Sequence, residues 1–209
     1  MTACPHCGAE LETPLGCGAC QVPLEAAAGL GPFEALGLTP SFTLDAEDLR
    51  ARQFKFSRWI HPDFFAASPE LRALAEENTG HLNAALKALE EPTRRADQLV
   101  RSLDGPSDAE VKEMPKAFLL EVLEWNEALE GARTSEAGSA QRGAAFGLEP
   151  ELTAQRTERI QAITKLLDPL PESGSDALRS ARLELNAVRY LDRALRELES
   201  LRLADAEAR

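Results

Sequence analysis

All four cysteines of the chain fall in its first twenty residues, as Cys4-Pro5-His6-Cys7 and Cys17-Gly18-Ala19-Cys20. Two thiolates in a C-x-x-C turn curl round one side of a metal ion. A second such turn closes a tetrahedron, and Gly8 and Gly18 let backbone amides face the sulfurs. The spacing predicts a closed structural site on Cys4, Cys7, Cys17 and Cys20, with zinc as the ion. So short a segment buries little core, so the metal supplies folding free energy. Cys4-Pro5-His6-Cys7 taken alone also looks like a thiol-redox turn. Such a turn normally opens a helix after a strand, and it leaves the second pair unexplained. His6 reads as a solvent-facing knuckle residue, because four sulfurs already fill the site.

The second constellation is His61-Pro62-Asp63. Proline lacks an N–H and disfavours helix in the residue before it, so a preceding helix must stop here. The histidine and aspartate are then held on a stiff turn, where polar groups suit recognition better than packing. Upstream lie Arg50, Arg52, Lys55 and Arg58, with no acid between Asp48 and Asp63. A charge run of this kind is ordinarily a solvated helix face; the adjacent loop is what makes it a candidate binding face.

The elements that must position these groups are helices. Ala, Leu, Glu and Arg are abundant and aromatic content is 5%, a mix that favours helix over sheet. Pro32 to Leu38 suits a short helix opened by proline and closed by glycine. Asp45 is a plausible N-cap for a helix over 45–60 whose apolar stripe is Leu49, Phe56 and Ile60. Leu71, Leu74, Ala75, Asn78, Leu82, Ala85 and Leu89 recur at spacings of three and four, so 69–90 is a second helix, antiparallel to the first, with His-Pro-Asp at the tip. A short helix over 93–103 follows the break at Pro92. Beyond a polar, hinge-like stretch at 105–114, helices are expected over 115–130, 150–167 and 176–203, with 204–209 fraying. Small and polar residues make 131–148 a flexible loop.

The 115–130 helix carries two apolar faces. Phe118, Val122, Trp125 and Leu129 form one stripe. Leu119, Leu120 and Leu123 lie off it beside Glu124 and Glu127, so that they are either a deeper core position or a partner surface.

Phe33-Glu-Ala-Leu-Gly-Leu38, the basic helix, Ile60-His-Pro-Asp-Phe-Phe65, Leu82-Asn-Ala-Ala85 and Glu91-Pro-Thr-Arg-Arg-Ala96 occur in the order and spacing of a J domain. From residue 32 onward the chain resembles the HscB family of J-type co-chaperones of iron–sulfur cluster assembly, some members of which carry a tetracysteine N-terminus. The resemblance implies an all-α protein: a tetracysteine zinc module over 1–24, a linker over 25–31, a J domain over 32–104 and a C-terminal three-helix domain over 105–209. It implies that His61, Pro62, Asp63, Arg50, Arg52, Lys55 and Arg58 dock on an HscA- or DnaK-type ATPase and stimulate hydrolysis. "FLLEVLEWNEAL" resembles the family's helix for the IscU-type cluster scaffold, which points to Leu119, Leu120, Leu123, Glu124 and Glu127. Tyr190, in "VRYLDRAL", takes the place of a scaffold-facing aromatic. Two positions depart from the pattern: Phe64 stands where many relatives have lysine, and Gly131 where an acidic contact is expected.

Composition narrows the classes. The net charge is −12, against the basic footprint that nucleic acid requires. No segment reaches the ~20 apolar residues of a membrane span, and no basic start precedes an apolar run, so a cytoplasmic setting is expected. No phosphate loop and no nucleophile elbow occurs, and His6, His61 and His81 form no ligand set. The expectation is a regulator of another enzyme. An alternative from a different class is a zinc- or redox-responsive adaptor in which the cysteine module is the working part.

Overall fold

The computed structural model describes residues 3–208. Its helices are α1 (Pro32–Ala35), α2 (Ala46–Trp59), α3 (Pro69–Glu90), α4 (Pro92–Ser102), α5 (Lys116–Thr134), α6 (Ala140–Phe146), α7 (Glu149–Leu167) and α8 (Asp176–Glu207), with a 3₁₀ turn over Pro62–Phe65. Among the described residues only isolated β-bridges occur, all in the cysteine segment. The chain divides into two compact units, Met1–Leu99 and Val100–Arg209.

In the first unit local chemistry sets each boundary. Asp45 Oδ1 accepts from the Glu47 N–H at 2.8 Å and starts α2. Pro62 ends it, Pro69 opens α3, and the Glu91 carboxylate accepts from the backbone of Thr93 and Arg94 at the head of α4. α1 closes in a Schellman turn: Leu38 N–H donates to Phe33 O and Gly37 N–H to Glu34 O, with Gly37 at φ +61°. Leu49, Phe56 and Ile60 are buried against α3, which buries Ala75, Leu82, Ala85 and Leu89. Each large apolar side chain so covered contributes about 1.5–3 kcal/mol.

The cysteine segment is not a bead on a tether. Leu15 and Cys17 are fully buried, and the segment rests on the hairpin. Asn78, on the apolar stripe of α3, donates from Nδ2 to Leu15 O and Leu24 O, both at 2.7 Å. Thr13 Oγ1 donates to Ala35 O at 2.7 Å, and Lys55 Nζ to Glu12 at 2.6 Å. Gly16 is backed by Ile60: a Cβ there would stand 2.4 Å from Ile60 Cγ2. Only 25–31 has the small-residue, turn-like character expected of a linker, and the residues on either side of it pack into one unit.

In the second unit α5, α7 and α8 are the three long helices. Phe118, Val122, Trp125 and Leu129 of α5 pack with Ala187, Leu191, Ala194 and Leu198 of α8 and Leu152 of α7. Three expectations are corrected here. The stretch 131–148 is not one flexible loop: α5 continues to Thr134, and α6 occupies Ala140–Phe146 with Ser139 Oγ capping the Arg142 N–H. Its small residues permit close approach, since Ala132 and Ala145 are fully buried. The tail over 204–209 does not fray at its start, because Asp205 is buried, paired with Arg142 and accepting from the Gly138 N–H at 3.1 Å. The stretch 105–114 is held and not hinge-like. Arg182 Nε donates to Pro106 O, and Asn186 Nδ2 donates to Val111 O and Glu113 O, each at 2.9 Å.

Candidate functional site

The two cysteine turns fold alike. Cys4 N–H donates to Ala9 O and Gly8 N–H to Cys4 O; Cys17 N–H donates to Val22 O and Gln21 N–H to Cys17 O. Each turn therefore needs a positive φ one residue past its second cysteine. Gly8 supplies it in the first turn, and Gln21 adopts it at +54° in the second. Gly18, read as the knuckle glycine, is required for another reason taken up in the Discussion. All four Sγ atoms lie within 4.8 Å of one another, with Cys4–Cys20 and Cys7–Cys17 both at 3.7 Å. A tetrahedral ion with metal–sulfur bonds of about 2.3 Å has ligand–ligand edges of about 3.8 Å. The four thiols thus fit a metal ion, and their separations are far beyond a disulfide bond. The backbone N–H of Cys20, helped by that of Ala19, draws the Cys17 thiol down to about 7, as amides aimed at a thiolate should. Burial, with the neighbouring Cys17 sulfur, pushes Cys20 up to about 12.

The tip is a single 3₁₀ turn. His61 Nδ1 accepts from the Asp63 N–H at 3.3 Å, and its ring lies 5.8 Å from that of Phe64. His61 and Asp63 both face solvent, the Asp63 side chain at 82%. The cations of α2 are also at the surface, but three of them hold ion-pair partners: Arg50 with Glu90, Arg52 with Asp48, and Lys55 with Glu12. Arg58 lies over the Phe54 ring at 5.9 Å. Exposed pairs of this kind are worth about 0–1 kcal/mol, so a competing carboxylate displaces them at little cost.

On α5 the second apolar face is exposed. Leu120 is 70% accessible and Leu123 63%, with Leu119 and, on α8, Tyr190 at 44% each. Glu124 and Glu127 are exposed beside them. The first stripe alone makes the core, so these leucines are not a deeper core position.

Two residues with structural roles at this site escape periodicity. Asn78 looks like a tolerated polar interruption of an apolar stripe. The signal is the interruption itself: a buried amide must find partners, and here they are carbonyls of the cysteine segment. Trp59 falls outside the Leu49–Phe56–Ile60 stripe and nothing local marks its contact with the knuckle.

A helical hairpin tipped by an exposed His-Pro-Asp turn, together with a separate helical bundle, defines an all-α J-domain protein. Residues 114–199 match the model of the HSCB C-terminal oligomerisation domain family. The chain is 34% identical over 152 residues to the co-chaperone protein HscB homolog of Shewanella baltica (strain OS155), covering 71% of this chain and 84% of that one. It is 33% identical over 163 residues to the homolog from Shewanella oneidensis, covering 76% and 87%. The fold matches the crystal structure of human co-chaperone protein HscB with a TM-score of 0.73 at 23% identity, over 95% of this chain and 98% of that one. It matches the chaperone HscB from Vibrio cholerae with a TM-score of 0.66, over 83% and 98%. The chain belongs to the HscB co-chaperone family.

Proposed function

We propose that this protein stimulates the ATPase of an HscA- or DnaK-type chaperone and delivers an IscU-type iron–sulfur scaffold to it in the cytoplasm. The observation that carries the reading is the solvent-facing tip, where His61 and Asp63 project from a proline-stiffened turn at the end of the cationic α2. His61, Pro62 and Asp63 form the contact that triggers hydrolysis. Arg50, Arg52 and Lys55 exchange their weak internal partners for acids of the ATPase, and Arg58, which holds no ion pair among the described residues, adds a fourth cation. Leu119, Leu120, Leu123, Glu124, Glu127 and Tyr190 form a separate scaffold surface: apolar side chains in the middle, carboxylates at the rim, the usual anatomy of a docking patch. The cysteines hold structural zinc. Burial of Leu15 and Cys17 against the hairpin supports a structural role over a stand-alone redox adaptor.

Steady-state ATPase of the purified partner chaperone tests the reading. His61→Gln should abolish stimulation; full stimulation by that variant would end it. Leu120→Ser/Leu123→Ser should weaken scaffold binding by tenfold or more, since losing central anchors costs upwards of about 1 kcal/mol each. It should leave scaffold-free stimulation intact.

A further inference from the structure

Between the second cysteine turn and the tip lies an open groove of about 500 Å³ lined by Gln21, Phe54, Lys55, Arg58, Trp59 and Phe64. Two features of its lining point to a ligand. Phe54 and Phe64, ten residues apart in sequence, are both more than 60% exposed, although the core stripe of α2 is complete without them. Moreover, no acid lines the groove in a chain of net charge −12. Lys55 leans over Trp59 with Nζ at 5.2 Å from the ring and holds Glu12 beyond it. Arg58 lies over the Phe54 ring and makes no ion pair among the described residues.

We infer that this groove, walled jointly by the metal knuckle and α2, receives an acidic segment with aliphatic side chains on the ATPase partner. The inference rests on the function proposed above and deepens it. Exposed phenylalanines select aliphatic contacts, and a guanidinium without an ion pair beside them selects a carboxylate. The Phe64 ring meets that of His61 at a tilt, 5.8 Å between centroids, so a segment seated in the groove continues directly into the His-Pro-Asp contact. The opposite wall exists only while the knuckle is folded, because Gln21 is held at its positive φ by the bond from its N–H to Cys17 O. The tetracysteine module therefore contributes to partner affinity through Gln21 as well as supporting the hairpin.

The test is a titration of a DnaK-type ATPase from the same host with the metal-loaded full chain, reading maximal stimulation and half-saturating concentration separately. Phe54→Ala/Phe64→Ala should raise the half-saturating concentration about tenfold, the loss of a pair of anchors, while reaching the same maximum. Gln21→Glu keeps the backbone preference but faces the incoming carboxylates. It should raise half-saturation several-fold at low salt, an effect that fades near 0.5 M salt, where the screening length is only a few ångströms. If His61→Gln abolishes stimulation but neither groove variant moves half-saturation, the groove is overturned and the proposed function stands. A shift with the phenylalanine pair alone removes the knuckle from the binding wall and overturns the joint site. Full stimulation by His61→Gln removes the proposed function, whatever the groove variants do.

Discussion

Gly18 lies against the six-membered ring of the Trp59 indole. A Cβ at residue 18 would stand 2.6 Å from Cζ2 and 2.7 Å from Cη2 of that ring. The second cysteine turn thus touches the residue two positions before His61, so the cysteine cluster and the tip share one packed junction. Trp59 is partly exposed and its ring can swing outward. Gly18→Ala should therefore displace the indole without unfolding the knuckle, at the overpacking cost of about 1–3 kcal/mol. The expected result is a red-shifted tryptophan emission and a lower urea midpoint. Unchanged values of both would show that the contact is loose.

Gly37 should be less forgiving. It holds φ +61° at the end of α1, and a Cβ there would stand 1.9 Å from the backbone oxygen of Glu12. Neither partner is a flexible side chain. Gly37→Ala adds the left-handed penalty of about 1–2 kcal/mol to a collision that must move the cysteine segment off the hairpin. A loss of roughly 3 kcal/mol or more, larger than for Gly18→Ala, is expected in chemical denaturation followed by circular dichroism. A smaller loss would mean that residues 12–16 are not held against α1.

These contacts mark where the sequence stopped being legible. Helix boundaries in the first unit were readable because they are punctuated locally: Asp45, Pro62, Pro69 and Pro92 act on their own neighbours. The clustering of the four thiols was readable because their spacing is itself local. The docking was not. Gly16 and Gly18 look like ordinary turn glycines, and the side chains that require them, Ile60 and Trp59, lie some forty residues on. The same holds for Ala132 and Ala145, where smallness was read as flexibility and means close packing. On α5 the sequence separated two apolar faces, but only packing decides which of them is covered.

Asp205 is the clearest case of a distant partner capturing a residue that looked free. Its carboxylate meets Arg142, with both side chains about nine-tenths covered, and also receives the Gly138 N–H. Removing one member of such a pair leaves the other charge buried, typically a cost of 3–5 kcal/mol. Arg202 and Glu149 form an exposed pair in the same unit, worth at most about 1 kcal/mol. Asp205→Asn should therefore lower the unfolding midpoint, followed by Trp125 fluorescence, far more than Arg202→Ala. Equal effects would show that the buried Arg142–Asp205 pair does not tie α6 to the end of α8.

Asp108 gives a pH-dependent contribution of known sign. The hydrogen bond from Arg189 at 2.7 Å, and then its charge, hold this carboxyl below the usual range. A carboxyl lowered by folding stabilises above its unfolded pKa of about 4, and that stabilisation disappears as pH falls through the folded value. Both side chains are nearly half exposed, so solvent screens the pair to well under about 1 kcal/mol. Asp108→Asn should lower the midpoint slightly at pH 7, and the difference should close as the medium is acidified toward pH 2. A gap that widened in acid would contradict the assignment.

Metal removal should separate the two units by their dependence on the cysteines. The first unit relies on a loop cluster whose own apolar burial is small: Leu15 and Leu24 against α3, Gly16 against Ile60. A bound ion adds its binding energy to folding, and without it those few contacts must hold the segment alone. The α5–α8 core contains no thiol and is closed by Phe118, Trp125, Leu129 and Leu191. A strong chelator should therefore release amide protection at Cys17 and Leu24, whose N–H groups donate to Val22 O and Leu15 O, and redden Trp59 emission. Protection at Leu129 and Leu191 should persist. Hydrogen exchange read by mass spectrometry on the full chain measures both regions at once. If protection at Cys17 survives chelation, the segment is held by packing alone, and the sulfur cluster contributes nothing to the fold.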